Sequence, residues 1–140
     1  MTVPPSRLGT PRPYLHLIEV RRDAIDELGH VNNVVYLRWV QEAITAFWRS
    51  AVQDVDAADI VWIAWRHEIT YRRPAFEGER LSADVRATGY SGSRATFETR
   101  ILRGGEVVAE ADSTLCCLNQ ITRQLIRITP KLAQPFFERL

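Results

Sequence analysis

The chain has 140 residues, of which 46% are hydrophobic and 25% are charged. This length suits a single domain, and the composition is that of an ordinary globular protein rather than a disordered one. The formal net charge of +1 excludes the strongly basic surface expected of a nucleic-acid-binding domain, so no nucleic-acid partner is predicted.

We predict no targeting signal at the beginning of the chain. Residues 1–13 are polar and rich in proline, and we predict a flexible arm there, followed by a single domain over residues 14–140. The arm lacks the apolar stretch of a signal peptide, and no apolar run approaches the roughly 20 residues of a membrane span. Cys116 and Cys117 are adjacent, which suits neither a disulfide framework nor a metal site. We therefore expect a cytoplasmic protein without a membrane partner, a metal or another cofactor.

The first half of the domain predicts a strand, a loop and one long helix. Residues 14–22 are rich in β-forming side chains, and residues 23–33 are rich in the turn formers Asp, Asn and Gly. Residues 34–51 contain neither Gly nor Pro and predict a helix that Asn32 or Asn33 can cap. Apolar residues cover this helix more widely than a single stripe, which predicts that it is buried nearly all round.

The second half of the domain predicts further strands separated by short turns. They cover residues 60–73, 80–90, 93–102, 107–119 and 124–128, with a short helix after Thr129. Short turns such as the one at Gly104 and Gly105 require antiparallel neighbours. These elements predict an α+β fold in which an antiparallel sheet of about five to six strands wraps around one long central helix. Its open edges predict self-association as a homodimer or homotetramer.

The loop before the long helix concentrates groups suited to carbonyl chemistry. Asp26 lies seven residues before Asn33, at the helix start. The N-terminus of a helix offers unpaired amides that can polarise a carbonyl, and a nearby carboxylate can activate water or attack directly. Each residue also has a purely structural interpretation: Asp26, Asn32 and Asn33 as caps, Gly29 as a turn former and His30 as a hydrogen-bonded structural group. Only the whole set favours an active site.

Two motifs carry a resemblance to a known family. The run DELGHVNNVVYLRW at residues 26–39 resembles the signature of the 4-hydroxybenzoyl-CoA thioesterase-like branch of the hotdog superfamily. The run YRRPA at residues 71–75, followed by Gly78, is similar to a second motif of these relatives, with Glu79 in place of the commoner Asp. The resemblance implies the hotdog fold and the hydrolysis of an acyl-CoA thioester to a carboxylic acid and free CoA.

The resemblance also implies roles for individual residues. Asp26 falls on the catalytic aspartate of the family, and the backbone amide near Asn33 falls where the helix N-terminus polarises the thioester carbonyl. The CoA end of the substrate is expected at a subunit interface, with its phosphates on arginines, for which Arg103 is one candidate. The expected substrate-binding residues are Gly29, His30, Asn32, Tyr36, Arg72, Arg73 and Arg94.

Three alternatives stay open. Other hotdog branches use a carboxylate in the helix, so Glu42 is a second catalytic candidate, unless it is only an ion-pair partner of Arg38 or Arg49. A hotdog dehydratase or hydratase would use a different histidine motif, usually with a nearby proline, which the residues after His30 do not match. A non-catalytic acyl-CoA-binding module would bind CoA esters without turning them over.

Overall fold

The structure is a computed structural model that describes residues 8–52 and 58–138. The elements in these ranges are β1 (Thr10–Pro11), β2 (Tyr14–Glu19), α1 (Asn33–Ala51), β3 (Ile60–Tyr71), β4 (Arg80–Ser91), β5 (Arg94–Arg103), β6 (Glu106–Asn119), α2 (Pro130–Ala133) and β7 (Phe137–Glu138). Single turns of 3-10 helix cover Arg22–Ala24 and Gln134–Phe136.

Five strands form one antiparallel sheet in the order β2-β4-β5-β6-β3, and β1 pairs with β7. In the central strands, buried and more exposed residues alternate, because successive side chains point to opposite faces. The buried face of the sheet packs against α1. The predicted antiparallel sheet with one long helix is therefore confirmed.

Helix α1 begins at Asn33 because the side chain of Asn32 accepts a hydrogen bond from the Val34 amide at 3.2 Å. One face of the helix is buried, and the other carries exposed charged residues. The prediction of a helix buried nearly all round is therefore wrong, since one sheet can cover only one side of it. The buried residues are Tyr36, Trp39, Val40, Ala43, Ile44, Phe47 and Trp48; the exposed ones include Arg38, Gln41, Glu42 and Arg49.

Aromatic contacts fix the second half of α1. Phe47 stacks on Tyr14 with ring centres 5.2 Å apart and meets Phe136 edge-on at 4.8 Å. Trp48 stacks on Phe136 and contacts Trp62 edge-on. Such pairs contribute beyond the area that they bury, so this cluster is the main anchor of the helix on the sheet.

Two predicted strands differ from the structure. The first strand ends at Glu19, because a 3-10 turn follows at Arg22–Ala24. The strand predicted at residues 124–128 is wrong, since it is reduced to a single bridge between Leu118 and Leu125. The cause is the preceding turn, in which Asn119 accepts from two following amides and Arg123 adopts a positive φ of 65°.

The N-terminal arm lies partly outside the described residues, which begin at residue 8. Thr10–Pro11 pairs with Phe137–Glu138. This part of the predicted arm is therefore held by the C-terminal end of the chain, and the division into arm and domain stays a prediction. Within the described ranges, no helix combines the length and apolar character needed to cross a membrane.

Candidate active site

The loop that carries Asp26 is closed on itself. Its two arms meet in an antiparallel bridge between Ile25 and Val31, and the Asp26 amide donates to the His30 carbonyl at 3.0 Å. Gly29 turns the chain with a φ of +86°, a conformation that other residues rarely adopt. The predicted turn-forming role of Gly29 is thus real, and it shapes the loop that presents Asp26.

The Asp26 carboxylate is held by one oxygen and open at the other. Its Oδ1 accepts from the Leu28 amide at 2.9 Å. Its Oδ2 lies 3.9 Å from Nδ1 of His30, which is too long for a hydrogen bond, and that nitrogen is 3.3 Å from the Val31 carbonyl oxygen. The side chain of Asp26 is 23% exposed. One oxygen therefore fixes the carboxylate while the other remains available to a substrate or a water molecule.

Two main-chain bonds attach the far arm of the loop to the body of the protein. The Val31 amide donates to the Ala75 carbonyl at 2.8 Å, and the Asn32 amide donates to the Ala24 carbonyl at 2.9 Å. Val31 and Ala75 are both completely buried. These two bonds fix the start of α1 relative to the loop. Asp26 and the helix N-terminus therefore lie at the same end of the molecule.

The first turn of α1 leaves an amide open. Asn32 accepts the Val34 amide with its side chain and the Val35 amide with its carbonyl. Within the described residues, the Asn33 N–H has no protein acceptor. This N–H points out of the positive end of the helix, which makes it a suitable donor to a carbonyl oxygen that becomes negative during attack.

Two tyrosines form a wall behind this helix end. Tyr36 is buried and meets Tyr71 edge-on, with ring centres 5.4 Å apart, and the Tyr71 hydroxyl donates to the Asn33 carbonyl at 3.1 Å. Burial raises the pKa of Tyr36, and a hydrogen bond from the backbone of Ala75 acts in the opposite direction. Tyr36 therefore remains neutral near pH 7 and supports the first turn of the helix.

The predicted arginines occupy two different places. Arg72 and Arg73 follow Tyr71 and lie at the end of the sheet near Asp26, where they pair with Glu110 and Glu106. Arg94 stacks on the Trp65 ring at 3.7 Å. In the sheet register Arg94 lies about seven residues from Tyr71, or about 23 Å. Arg94 is therefore remote from Asp26 within one chain.

Glu42 is separated from the Asp26 loop. It lies nine residues beyond Asn33 along α1, which corresponds to about 13 Å along the helix axis. It is exposed, pairs with Arg38 at 3.6 Å, and lines a cleft of about 410 Å³ between β2 and α1. Asp26 is not among the residues that line this cleft. Glu42 and Asp26 therefore face different parts of the surface.

Apolar side chains are exposed around the Asp26 loop. They are Leu28, Val34, Tyr71 and Phe76, with exposed fractions between 43% and 78%. A pocket for a thioester needs walls that exclude water, and these side chains suit such walls. In a single chain they are open to solvent.

Two contributors to the geometry, Tyr71 and Ala75, were not among the predicted site residues, and a third, Arg103, has contacts different from those predicted. Tyr71 and Ala75 contact the helix start and the loop, and Arg103 donates to the neighbouring Pro74 carbonyl. Tyr71, Pro74 and Ala75 belong to the second motif, so the motif pointed to the right segment without revealing its contacts. Arg103 was expected to face CoA, but its guanidinium is instead engaged within the chain.

Comparisons with known proteins find relatives over most of the chain. A family model for the thioesterase-like superfamily matches residues 20–136, which include both motifs. The long-chain acyl-CoA thioesterase FadM of Escherichia coli (strain K12) is 27% identical over 124 residues, covering 84% of this chain and 92% of that protein.

Solved structures share the fold. YbaW Probable Thioesterase from Escherichia coli matches with a TM-score of 0.76 and 24% identity, over 89% of this chain and 98% of that one. Slr0204, a 1,4-dihydroxy-2-naphthoyl-CoA thioesterase from Synechocystis, matches with a TM-score of 0.74 and 18% identity, over 89% and 96% of the two chains. The predicted hotdog fold is therefore confirmed.

Proposed function

Because the chain belongs to the thioesterase-like superfamily, we propose that it hydrolyses an acyl-CoA thioester to a carboxylic acid and free CoA. One observation carries the assignment of the chemistry. The Asp26 carboxylate, which keeps one oxygen available, lies at the same end of the molecule as the open Asn33 amide. The two groups lie on the two sides of one bridged loop.

In the proposed reaction, the thioester carbonyl oxygen accepts a hydrogen bond from the Asn33 amide. The partial positive charge of the helix end stabilises the oxyanion that forms on attack. The free oxygen of Asp26 either removes a proton from an attacking water molecule or attacks the carbonyl carbon itself. The carbon–sulfur bond then breaks, and the CoA thiolate takes up a proton as it leaves. If Asp26 attacks directly, the product of this step is a mixed anhydride on Asp26, which a water molecule then hydrolyses to release the acid and restore the carboxylate.

Asp26 is favoured over Glu42 by position. The exposed Glu42 carboxylate lies about 13 Å along the helix axis from the open amide, so the two groups cannot act on one carbonyl. Gly29, His30 and Asn32 contribute through the shape of the loop and the helix cap, and Tyr36 supports the first helical turn.

The decisive experiment compares hydrolysis of short, medium, long and benzoyl-type acyl-CoAs by the wild type and by Asp26→Asn, read by release of free thiol. We expect a fall in kcat of at least about 100-fold, because general-base groups contribute about 10²- to 10⁴-fold. Asp23→Asn is the matched control, since Asp23 is an exposed carboxylate of the same segment. Glu42→Gln tests the second candidate.

Each outcome has a clear meaning once circular dichroism shows that the variants are folded. Full activity in Asp26→Asn, together with loss in Glu42→Gln, would move the chemistry to the helix. A wild type that binds acyl-CoAs but hydrolyses none of them would replace the enzyme with a binding module.

For the CoA phosphates we propose Arg72 and Arg73, which lie at the same end of the sheet as Asp26. Each now pairs with a glutamate, and a CoA phosphate would compete with Glu110 and Glu106 for the guanidinium groups. In a single chain Arg94 lies too far away for this role. Arg72→Met and Arg73→Met should therefore raise KM for acyl-CoA more than they lower kcat, and neither should affect folding.

We also propose that two copies of the chain pair through β3. This strand is at the edge of the sheet and exposes Ile63 and Trp65, and such edges are usually covered. Arg66 and Glu68 flank His67 and pair with each other at 3.1 Å. Antiparallel pairing of two β3 strands centred on His67 would place Arg66 opposite Glu68 of the second copy. This pair would occur twice, once on each side of the two-fold axis.

A charge exchange tests this pairing by analytical ultracentrifugation. Arg66→Glu and Glu68→Arg each place like charges opposite one another and should weaken the dimer. The double exchange restores opposite charges and should restore it. A wild-type chain that sediments as a monomer would refute the pairing without affecting the assignment of Asp26.

We further propose that the protein acts in the cytoplasm.

A further inference from the structure

Arg103, the last residue of β5, is surrounded by acceptors. Its Nη1 donates to the Pro74 carbonyl at 3.0 Å and to the two carboxylate oxygens of Glu79 at 3.0 and 3.2 Å. Its Nη2 donates to Glu106. The side chains of Arg103 and Glu79 are 29% and 26% exposed, so the pair is partly shielded from water. This guanidinium is therefore engaged inside the chain rather than directed at a ligand.

The acceptor at Pro74 leads directly to the candidate active site. The Pro74 carbonyl and the Ala75 N–H belong to one peptide group, and a hydrogen bond from the Ala75 backbone acts to lower the pKa of the Tyr36 hydroxyl. The Ala75 carbonyl accepts from the Val31 amide at 2.8 Å. Ala75 is completely buried, so neither bond competes with water. A single residue thus connects Arg103 to both the first turn of α1 and the end of the Asp26 loop.

Glu79 holds the other end of the same turn. Its carboxylate accepts from the Phe76 amide at 2.6 Å, and its own amide donates to the Phe76 carbonyl at 3.2 Å. Its carbonyl accepts from the Val20 amide at 3.0 Å. The ion pair with Arg103 therefore closes the turn of residues 74–79 from both sides. The charges of Arg103 and Glu79 also reach the site, since the first lowers and the second raises the pKa of Tyr36.

We propose that Arg103, together with Glu79, is a positioning residue for the hydrolysis described above, and this inference rests on that proposed function. The ion pair locks the turn of residues 74–79, and Ala75 passes this constraint to Val31 and Tyr36. The separation between the Asp26 carboxylate and the open helix amide is thereby fixed. A displacement of about 1 Å between reacting groups can cost up to about 100-fold in rate, so a contact remote from the chemistry can control it.

The test compares Arg103→Met and Arg103→Lys with Arg100→Met. Methionine removes every donor, whereas lysine keeps the charge but loses the planar fork. Arg100 lies on the same strand, is exposed, and within the described part of the chain forms an ion pair only with Glu98, at 3.5 Å, which makes it the matched control. We expect kcat to fall by about tenfold or more in Arg103→Met, with KM for acyl-CoA nearly unchanged. Arg103→Lys should recover part of the loss, and Arg100→Met should match the wild type.

A second measurement does not depend on activity. The Tyr36 hydroxyl can be titrated by carbon-13 NMR of labelled tyrosine, with Tyr36→Phe identifying its signal. Arg103→Met should raise the Tyr36 pKa further, because the positive charge of Arg103 lowers it. If Arg103→Met fails to fold, Glu79→Gln replaces it, and its kcat should fall in the same direction.

The outcomes separate the two proposals. A folded Arg103→Met with wild-type kcat, or with a raised KM and unchanged kcat, overturns the positioning role. The second of these results would assign Arg103 to CoA binding instead. A wild type without any turnover refutes the proposed function, while the Tyr36 titration still decides whether Arg103 is coupled to the site.

Discussion

Replacing Asn32 separates the stability of the helix from the activity of its N-terminus. The Asn32 side chain accepts from the Val34 amide at 3.2 Å, next to the open amide of Asn33. Asn32→Ala removes this cap and should cost about 1 kcal/mol of unfolding free energy. Asn32→Asp keeps an acceptor of the same size and adds a negative charge at the positive end of the helix. Its stability should therefore equal or exceed that of the wild type.

The same negative charge should impair catalysis. If the thioester oxygen binds to the Asn33 amide, a carboxylate at residue 32 would lie about 6 Å from the developing oxyanion. At an effective dielectric constant of about 20, this repulsion is about 3 kcal/mol. A barrier raised by that amount lowers kcat by roughly 100-fold. Asn32→Ala adds no charge and should lose much less activity than Asn32→Asp.

Urea unfolding and thiol release from an acyl-CoA, measured on the same preparations, give both quantities. The expected order is opposite in the two assays: Asn32→Asp is the more stable variant and the less active one. If Asn32→Asp hydrolyses acyl-CoA as fast as the wild type while Asp26→Asn is inactive, the carbonyl does not bind at this helix end. The role assigned to the Asn33 amide would then be wrong.

Three further predictions concern stability. Phe47→Ala should lower the free energy of unfolding in urea by about 3 to 5 kcal/mol, because Phe47 is buried in the aromatic cluster. Val34 is exposed, and Val34→Ala should change the same free energy by less than about 0.5 kcal/mol. Burial lowers the pKa of His67 below its ordinary value of 6.5, so the unfolded state binds more protons than the folded state when the pH falls below that value. The free energy of unfolding should therefore be full above about pH 6.5 and decline as the pH falls. His67→Gln should remove this dependence in urea titrations between about pH 7.5 and 5.5. Gly29→Ala should lower the free energy of unfolding by about 1 to 2 kcal/mol in thermal unfolding, and the positive φ alone is the cause, since no atom lies within 4 Å of the added carbon. Gly105→Ala is the control, because Gly105 is equally open and has no positive φ, and it should be nearly neutral.

Much of the fold follows from local patterns. Alternating strands and short turns predict an antiparallel sheet, and the stretch without Gly or Pro predicts α1 to within one residue at its start. The strand predicted at residues 124–128 fails because its β-forming side chains gave no sign of the preceding turn. Arg123 adopts a positive φ there, which the residue type does not indicate.

The burial of α1 could not be read from its composition. Apolar residues such as Val34 lie on its open side, and a sequence does not state how many sides of a helix a sheet covers.

Position in the chain also cannot distinguish an arginine that faces a ligand from one that holds a turn. Arg103 and its acceptor at Pro74 are 29 residues apart, and they meet because β5 and β3 both pair with β6 in the folded sheet.

The two halves of α1 are held by different forces, and this division explains how the site can change without loss of the fold. The second half is fixed by the rings around Phe47, whose burial supplies stability but reaches no part of the Asp26 loop. The first half is fixed by directional contacts, from the Tyr71 hydroxyl to the Asn33 carbonyl and from the Val31 amide to the Ala75 carbonyl. Hydrogen bonds of this kind contribute only about 1 kcal/mol each, yet they set the positions of reacting groups. Substitutions in the aromatic cluster should therefore lower stability and leave kcat intact, whereas those around Ala75 should lower kcat at a small cost in stability.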